Sequence, residues 1–126
     1  MRYIGIDYGS KRIGVAVSDE AGRFALPREV LPNDAKLTEK ISFLISETGA
    51  AEIVVGESKD YKGKDNVIME KIVPFKKELE KLGVAVHMEP EFMTSVAAQR
   101  FQGKNEFHDA SAAALILQSF LDKKNK

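Results

Sequence analysis

Three short β-rich segments occupy the first 31 residues, and from there helical and extended patterns alternate to the end of the chain. That order is the strongest constraint on the fold. Tyr3 to Tyr8 and Ile13 to Ser18 are joined by Gly9-Ser10-Lys11-Arg12, a polar turn containing glycine, which predicts an antiparallel hairpin. Phe24 to Leu31 is expected as a third strand after the turn Asp19-Glu20-Ala21-Gly22. Pro32-Asn33-Asp34 supplies a stop and helix-cap chemistry, and Leu37, Ile41, Leu44 and Ile45 then recur at helical spacing as far as Gly49. Glu52 to Gly56 holds the unbroken run Ile53-Val54-Val55, the pattern of a strand buried on both faces, and is expected in the middle of the sheet.

A charged loop from Glu57 to Asp65 leads to a helix over 66–82, in which Pro74 predicts a kink or a break and which Gly83 ends. Val84 to Met88 reads as a strand, Thr94 to Gln102 as a short helix, and His108 to Leu121 as the last helix, with 122–126 a basic tail that frays. No repeat or linker interrupts the chain, so residues 1–126 read as one domain. A meander followed by alternating helix and strand predicts an α/β fold: a mixed five-stranded sheet with helices on both faces, in the ribonuclease-H-like order.

Composition narrows the chemistry. Lysine plus arginine equals aspartate plus glutamate at 19 each, so the chain as a whole exerts no long-range pull on nucleic acid, and a polyanion would have to be held by a local patch. There is no cysteine, which excludes a disulfide framework, a thiolate zinc site and a cysteine nucleophile. Metal binding would use oxygen ligands and the two histidines. No apolar stretch approaches the ~20 residues that span a bilayer, so a soluble cytoplasmic protein without a membrane partner is expected.

Asp7 is the strongest single signal. Alternation sends Ile4 and Ile6 to one face and Gly5 and Asp7 to the other, leaving a carboxylate at the end of an apolar strand, where it is costly unless partnered. A turn aspartate that caps the hairpin fits the same spacing. Gly5 and Gly9 favour function, because they would leave room for an ion or a phosphate beside the acid. Asp109 falls in the first turn of the last helix, where the alanines that follow would let the backbone come close to a strand end; dipole compensation is the plainer role. Glu57 follows the presumed central strand, where ligand sites of open α/β sheets gather, and equally fits the first residue of a solvated loop. Glu91 lies just beyond another strand end and is a further candidate; it also fits an acid preceding a helix capped by Thr94 or Ser95. His108 could act as a ligand or proton carrier, or be polar surface.

Converging carboxylates without cysteine suit Mg²⁺ or Mn²⁺, and phosphodiester cleavage is the reaction such a cluster serves best. Lys11 and Arg12 in the hairpin turn, and Lys59, Lys62 and Lys64 with Tyr61 among them after Glu57, could hold phosphates and stack a base. A solvated loop is the alternative for the second segment, which also carries Asp60 and Asp65.

The run Gly5-Ile6-Asp7-Tyr8-Gly9-Ser10-Lys11-Arg12-Ile13-Gly14-Val15-Ala16-Val17-Ser18-Asp19 resembles the opening of the YqgF (RuvX) family of Holliday-junction-resolvase-like proteins. Asp109-Ala110-Ser111-Ala112-Ala113-Ala114-Leu115-Ile116-Leu117-Gln118 is similar to that family's closing helix. The resemblance implies a ribonuclease-H-like, metal-dependent nuclease associated with maturation of the 5′ end of the small-subunit ribosomal RNA precursor. By analogy with resolvases it also implies action on branched DNA. Structured RNA is thus the favoured partner and branched DNA the alternative, for a monomer or a homodimer. Two segments depart from the family pattern. Gly56-Glu57-Ser58 replaces glycine, an apolar residue and proline. Pro90-Glu91-Phe92-Met93-Thr94-Ser95 keeps the acid of an aspartate–glutamate–arginine motif but loses the aspartate and the arginine. Glu57 and Glu91 are both candidates for the middle carboxylate. The opening motif also resembles the phosphate hairpin of actin-like ATPases and sugar kinases, which close two such domains on a nucleotide. A silent RNA-binding module of ribosome assembly is the third reading.

Overall fold

The computed structural model describes residues 1–9, 11–57, 67–90 and 106–125, with side chains for all of these except 57, 67–71, 90 and 106–109. Strands β1 (Tyr3–Tyr8), β2 (Arg12–Ser18), β3 (Ala25–Pro32), β4 (Glu52–Glu57) and β5 (Ala85–Pro90) form one sheet in the order β3-β2-β1-β4-β5. The β1–β2 and β2–β3 pairs are antiparallel, and the β1–β4 and β4–β5 pairs are parallel. The middle strand is therefore β1, with β4 beside it. Burial on both faces marks a strand as interior without saying which interior strand it is, so Ile53, Val54 and Val55 are fully buried one place off centre.

Helices α1 (Leu37–Thr48), α2 (Val67–Glu80) and α3 (Glu106–Lys124) cover the two faces. Alternation divides the apolar residues into two cores. Ile4, Ile6, Ile13, Val15, Ile53 and Val55 pack with Ile41 and Leu44 of α1 and with Ile72, Phe75 and Leu79 of α2. On the other face Tyr3, Ala16 and Val54 pack with Ala113, Ile116, Leu117 and Leu121 of α3. Each fully buried isoleucine or leucine contributes about 1.5–3 kcal/mol of transfer free energy, so this division sets which helix lies on which face. At the β3 edge, Pro27, Pro32 and an irregular register opposite Val15 and Ala16 interrupt the row of backbone groups that could pair with another chain.

Three elements differ from the sequence reading. Pro74 lies within α2 without breaking it, because Ile72, Phe75 and Leu79 are buried around it while the ring itself is exposed. Asp34 does not cap α1 directly. Its Oδ1 accepts from the Lys36 N–H at 2.9 Å, and the helix begins at Leu37. Finally, α3 continues to Lys124, past the expected end at Leu121, because Lys123 and Asn125 have tertiary partners: Lys123 Nζ is 2.6 Å from Glu89 Oε2, and Asn125 Nδ2 donates to the Gly22 carbonyl at 2.9 Å. The expected helix at 94–102 falls outside the described residues.

The β2–β3 turn carries a pH dependence. Asp19 Oδ1 accepts from the N–H of Arg23 at 2.9 Å and of Phe24 at 3.2 Å, and these bonds, Arg23 first, hold its carboxyl below the usual carboxylate range. A lowered folded value means that the contribution is present in full above the ordinary carboxylate pKa and is lost as pH falls through the lowered one. The Arg23 and Phe24 amide protons are expected to shift together, in step with Asp19 protonation, at a pH below about 4. An NMR titration placing Asp19 at an ordinary value would refute this.

Candidate active site

Asp7 is the penultimate residue of β1 and is paired with Gly14 of β2. It shares a strand face with Tyr3 and Gly5, and that face lies under α3. The Tyr3 ring is 5.9 Å from that of Phe120, while a β-carbon built on Gly5 would lie 2.6 Å from Leu117 Cβ and 3.0 Å from the Ala113 carbonyl oxygen. The helix thus runs antiparallel to the strand, with Tyr3 beside residue 120 and Gly5 beside 117 and 113. Two further strand residues advance about 6.6 Å, and four further helical residues about 6 Å. The next step therefore brings the backbone turn that contains Asp109 to the level of Asp7.

The glycines do something other than the sequence suggested. Neither leaves room for an ion. The space beside Gly5 is filled by α3, and a β-carbon on Gly9 would lie 2.5 Å from the Arg12 carbonyl oxygen. Gly5 admits the helix and Gly9 admits the return of its own hairpin. That hairpin is anchored to the end of β3, since Asn33 Nδ2 donates to the Gly9 carbonyl at 2.8 Å and the Asn33 N–H to the Lys11 carbonyl at 2.9 Å. Lys11 and Arg12 are both exposed there, at the same end of the sheet as Asp7.

Across the parallel half of the sheet, Ile6 pairs with Val55, and continuing that register puts Asp7 level with Gly56. Gly56 in turn pairs with Glu89 of β5. Glu57 is the next residue of β4, one step beyond the level of Asp7 and on the other parity of the strand. Asp7, Gly56 and Glu89 thus form a row on one face. Glu89 is 3 % exposed, and its Oε2 accepts from Ser119 Oγ at 2.9 Å and from Lys123 Nζ at 2.6 Å. Sequence reasoning missed it. The spacing of Ser119 and Lys123, four apart on one helix, was legible, but nothing local linked them to a strand far upstream. Nearer the start of the strands, His87 Nε2 is 2.5 Å from Glu52 Oε1, and its ring stacks on Phe120.

Of the four candidate acids, Asp7 is the one with a described side chain. Glu57 and Asp109 are placed by backbone alone, as is His108, while Glu91, Lys59, Tyr61, Lys62 and Lys64 lie outside the described residues. Among the described residues, no three histidine, aspartate or glutamate side chains group together. No helix among them is long and apolar enough to cross a membrane.

A mixed sheet of this order, with helices on both faces and the closing helix laid over the first strand, defines a ribonuclease-H-like protein. The same fold is seen in T. thermophilus RuvC in complex with Holliday junction substrate, with a TM-score of 0.67 at 16% identity, covering 99% of this chain and 96% of that one. The chain belongs to the RuvX family, described as Holliday junction resolvase, which it matches over residues 1–123. A relative from Sulfurihydrogenibium sp. named "Putative pre-16S rRNA nuclease" is 34% identical over 131 residues, covering 97% of this chain and 90% of its own. Another of that name, from Desulforamulus reducens, is 35% identical over 133 residues and is covered, like this chain, to 97%.

Proposed function

We propose that this chain is a nuclease that hydrolyses phosphodiester bonds in structured nucleic acid, acting at the 5′ end of the 16S ribosomal RNA precursor in the cytoplasm with Mg²⁺ or Mn²⁺. The observation that carries the reading is the approach of α3 to β1 at Gly5, which takes the helix turn containing Asp109 to the level of Asp7. Membership of the RuvX family and the names of its relatives support the reaction class. Asp7, Glu57 and Asp109 would hold the ion, with Glu91 in reserve. An all-oxygen donor set at element ends fits a hard cation that keeps several waters.

When bound, such an ion polarises the phosphoryl oxygens and makes water a nucleophile near neutral pH. The chain's own residues supply placement. Asp7 sits on the central strand of the sheet, and Lys11 and Arg12, on a hairpin anchored by Asn33, offset phosphate charge at that end. Lys59, Lys62 and Lys64 would extend that contact. Because the chain is neutral overall, this local patch carries the electrostatic part of binding. Replacing Lys11 and Arg12 together by alanine is expected to raise KM more than it lowers kcat. It should also flatten the log–log salt dependence of binding by roughly 0.7–0.9 per lost phosphate contact. An unchanged salt slope would remove both residues from the interface.

A second reading, cleavage of branched DNA, is favoured by the family's own description. One experiment separates the two: cleavage of a precursor RNA with its 5′ extension, and of a four-way DNA junction, each with and without Mn²⁺. Mn²⁺-dependent cutting of the RNA supports the proposal, and cutting of the junction alone favours the second reading. Binding of the RNA with no cutting of either substrate would leave a silent assembly module and end the nuclease proposal.

A further inference from the structure

The contact between α3 and the sheet combines large apolar side chains toward the end of the helix with small residues nearer its start. Ala110, Ala112 and Ala113 are buried, and Gly5 admits the helix backbone. Ile116, Leu117 and Leu121 supply most of the apolar area against Tyr3, Ala16 and Val54, but hydrophobic burial is non-directional, and nearer the start of the helix the buried alanines offer few ridges to define its roll. Polar ties supply the direction. Toward β3 and the turn before it, among the described residues, Gln118 Oε1 accepts from the Ala25 N–H, Gln118 Nε2 donates to the Arg23 carbonyl, and Asn125 donates to the Gly22 carbonyl. Toward β5, among the described residues, Ser119 and Lys123 converge from successive turns on a single carboxylate, Glu89.

That carboxylate is an expensive choice for mere adhesion. The Glu89 side chain is 4% exposed and that of Lys123 is 64% exposed, so the acid is enclosed and its cation remains at the surface. A buried acid is disfavoured unless paired, and an apolar residue commonly serves stability as well or better. The position of Glu89 suggests another purpose. It pairs with Gly56, the neighbour of Asp7 in the row; it stands two residues before Glu91; and its partners lie on the helix whose first turn carries Asp109. We infer that the Glu89–Ser119–Lys123 tie is a positioning device, which fixes the roll of α3 on the sheet and thereby the place of Asp109 against Asp7. This rests on the metal-dependent reading of the same site. With the tie cut, the hydrogen bonds that direct α3 remain on the β3 side, and on the β5 side only the non-directional stacking of Phe120 on His87 is left among the described residues, so the helix can roll; a displacement of about 1 Å is enough to spoil a shared site.

The test is direct Mn²⁺ binding, followed by the electron-paramagnetic-resonance signal of free Mn²⁺, for the wild type, Lys123→Met, Lys123→Arg and Asp7→Asn, well below each unfolding midpoint. Lys123 is exposed, so its replacement leaves the packed interface intact. Lys123→Met is expected to weaken Mn²⁺ binding about tenfold, the lower end of what outer-shell changes cost. Lys123→Arg should restore it, and cleavage at saturating Mn²⁺ should return close to the wild-type rate. Wild-type Mn²⁺ affinity in Lys123→Met, with binding lost in Asp7→Asn, overturns the positioning role and leaves the nuclease reading standing. Failure of Arg to rescue Met also overturns it. If Asp7→Asn binds Mn²⁺ as well as the wild type, both proposals fall together.

Discussion

Asp7→Asn is expected to lower Mn²⁺-dependent cleavage by about a thousandfold, about 4 kcal/mol of transition-state stabilisation, with the fold intact. The substitution keeps the shape of the side chain and removes its charge. On a strand flanked by β2 and β4 and covered by α3, the backbone at this position is fixed by its neighbours, so the change reaches the chemistry without disturbing the architecture. Asparagine offers a cation one neutral oxygen where aspartate offers two charged ones. The loss should therefore appear first as a higher Mn²⁺ requirement and then as a lower rate at saturation. Rates measured across a Mn²⁺ series, with circular dichroism as the control for folding, decide the matter. Equal cleavage by the two proteins would remove Asp7 from the mechanism.

Gly5→Ala is expected to destabilise the protein by about 1–3 kcal/mol, the usual cost of overpacking. The sign is diagnostic, since glycine to alanine inside a strand is ordinarily stabilising by roughly 0.5–1 kcal/mol. Here the added carbon would sit 2.6 Å from Leu117 Cβ and 3.0 Å from the Ala113 carbonyl oxygen, and neither atom is the free end of a flexible chain. Only a retreat of α3 relieves the contact, and that retreat carries the Asp109 turn away from Asp7, so cleavage should fall with stability. Leu117→Ala should not rescue it, because alanine retains the offending carbon. Urea denaturation of the single and double variants provides the measurement. An unchanged or raised midpoint in Gly5→Ala would mean that the helix does not lie this close.

The two halves of the site differ in how far local pattern reveals them. Asp7 declared itself because a carboxylate ending an apolar strand breaks a rule, and the motif around it matches a family over nearly the whole chain. Glu89 broke a rule too, but only after folding. In the sequence it is one of several acids around Pro90, and its enclosure depends on a helix that closes over β5 from the far end of the chain. The glycines show the same limit. Their identity signalled close approach at residues 5 and 9, but which atom approaches is a long-range fact, and it proved to be protein backbone and Leu117 Cβ.

The sequence by itself determined the order of the elements, the division of apolar residues between the two faces and the antiparallel hairpin that opens the chain. Periods of two and 3.6 and the chemistry of turns act over neighbouring residues and need no partner to be read. Only the tertiary structure decided that β1 is the central strand, that Gly56 and Glu89 share the level of Asp7, and that α3 runs unbroken to Lys124. Strand order, register and the burial of a charge are settled by contacts between segments far apart in the chain, whose energies no local pattern contains.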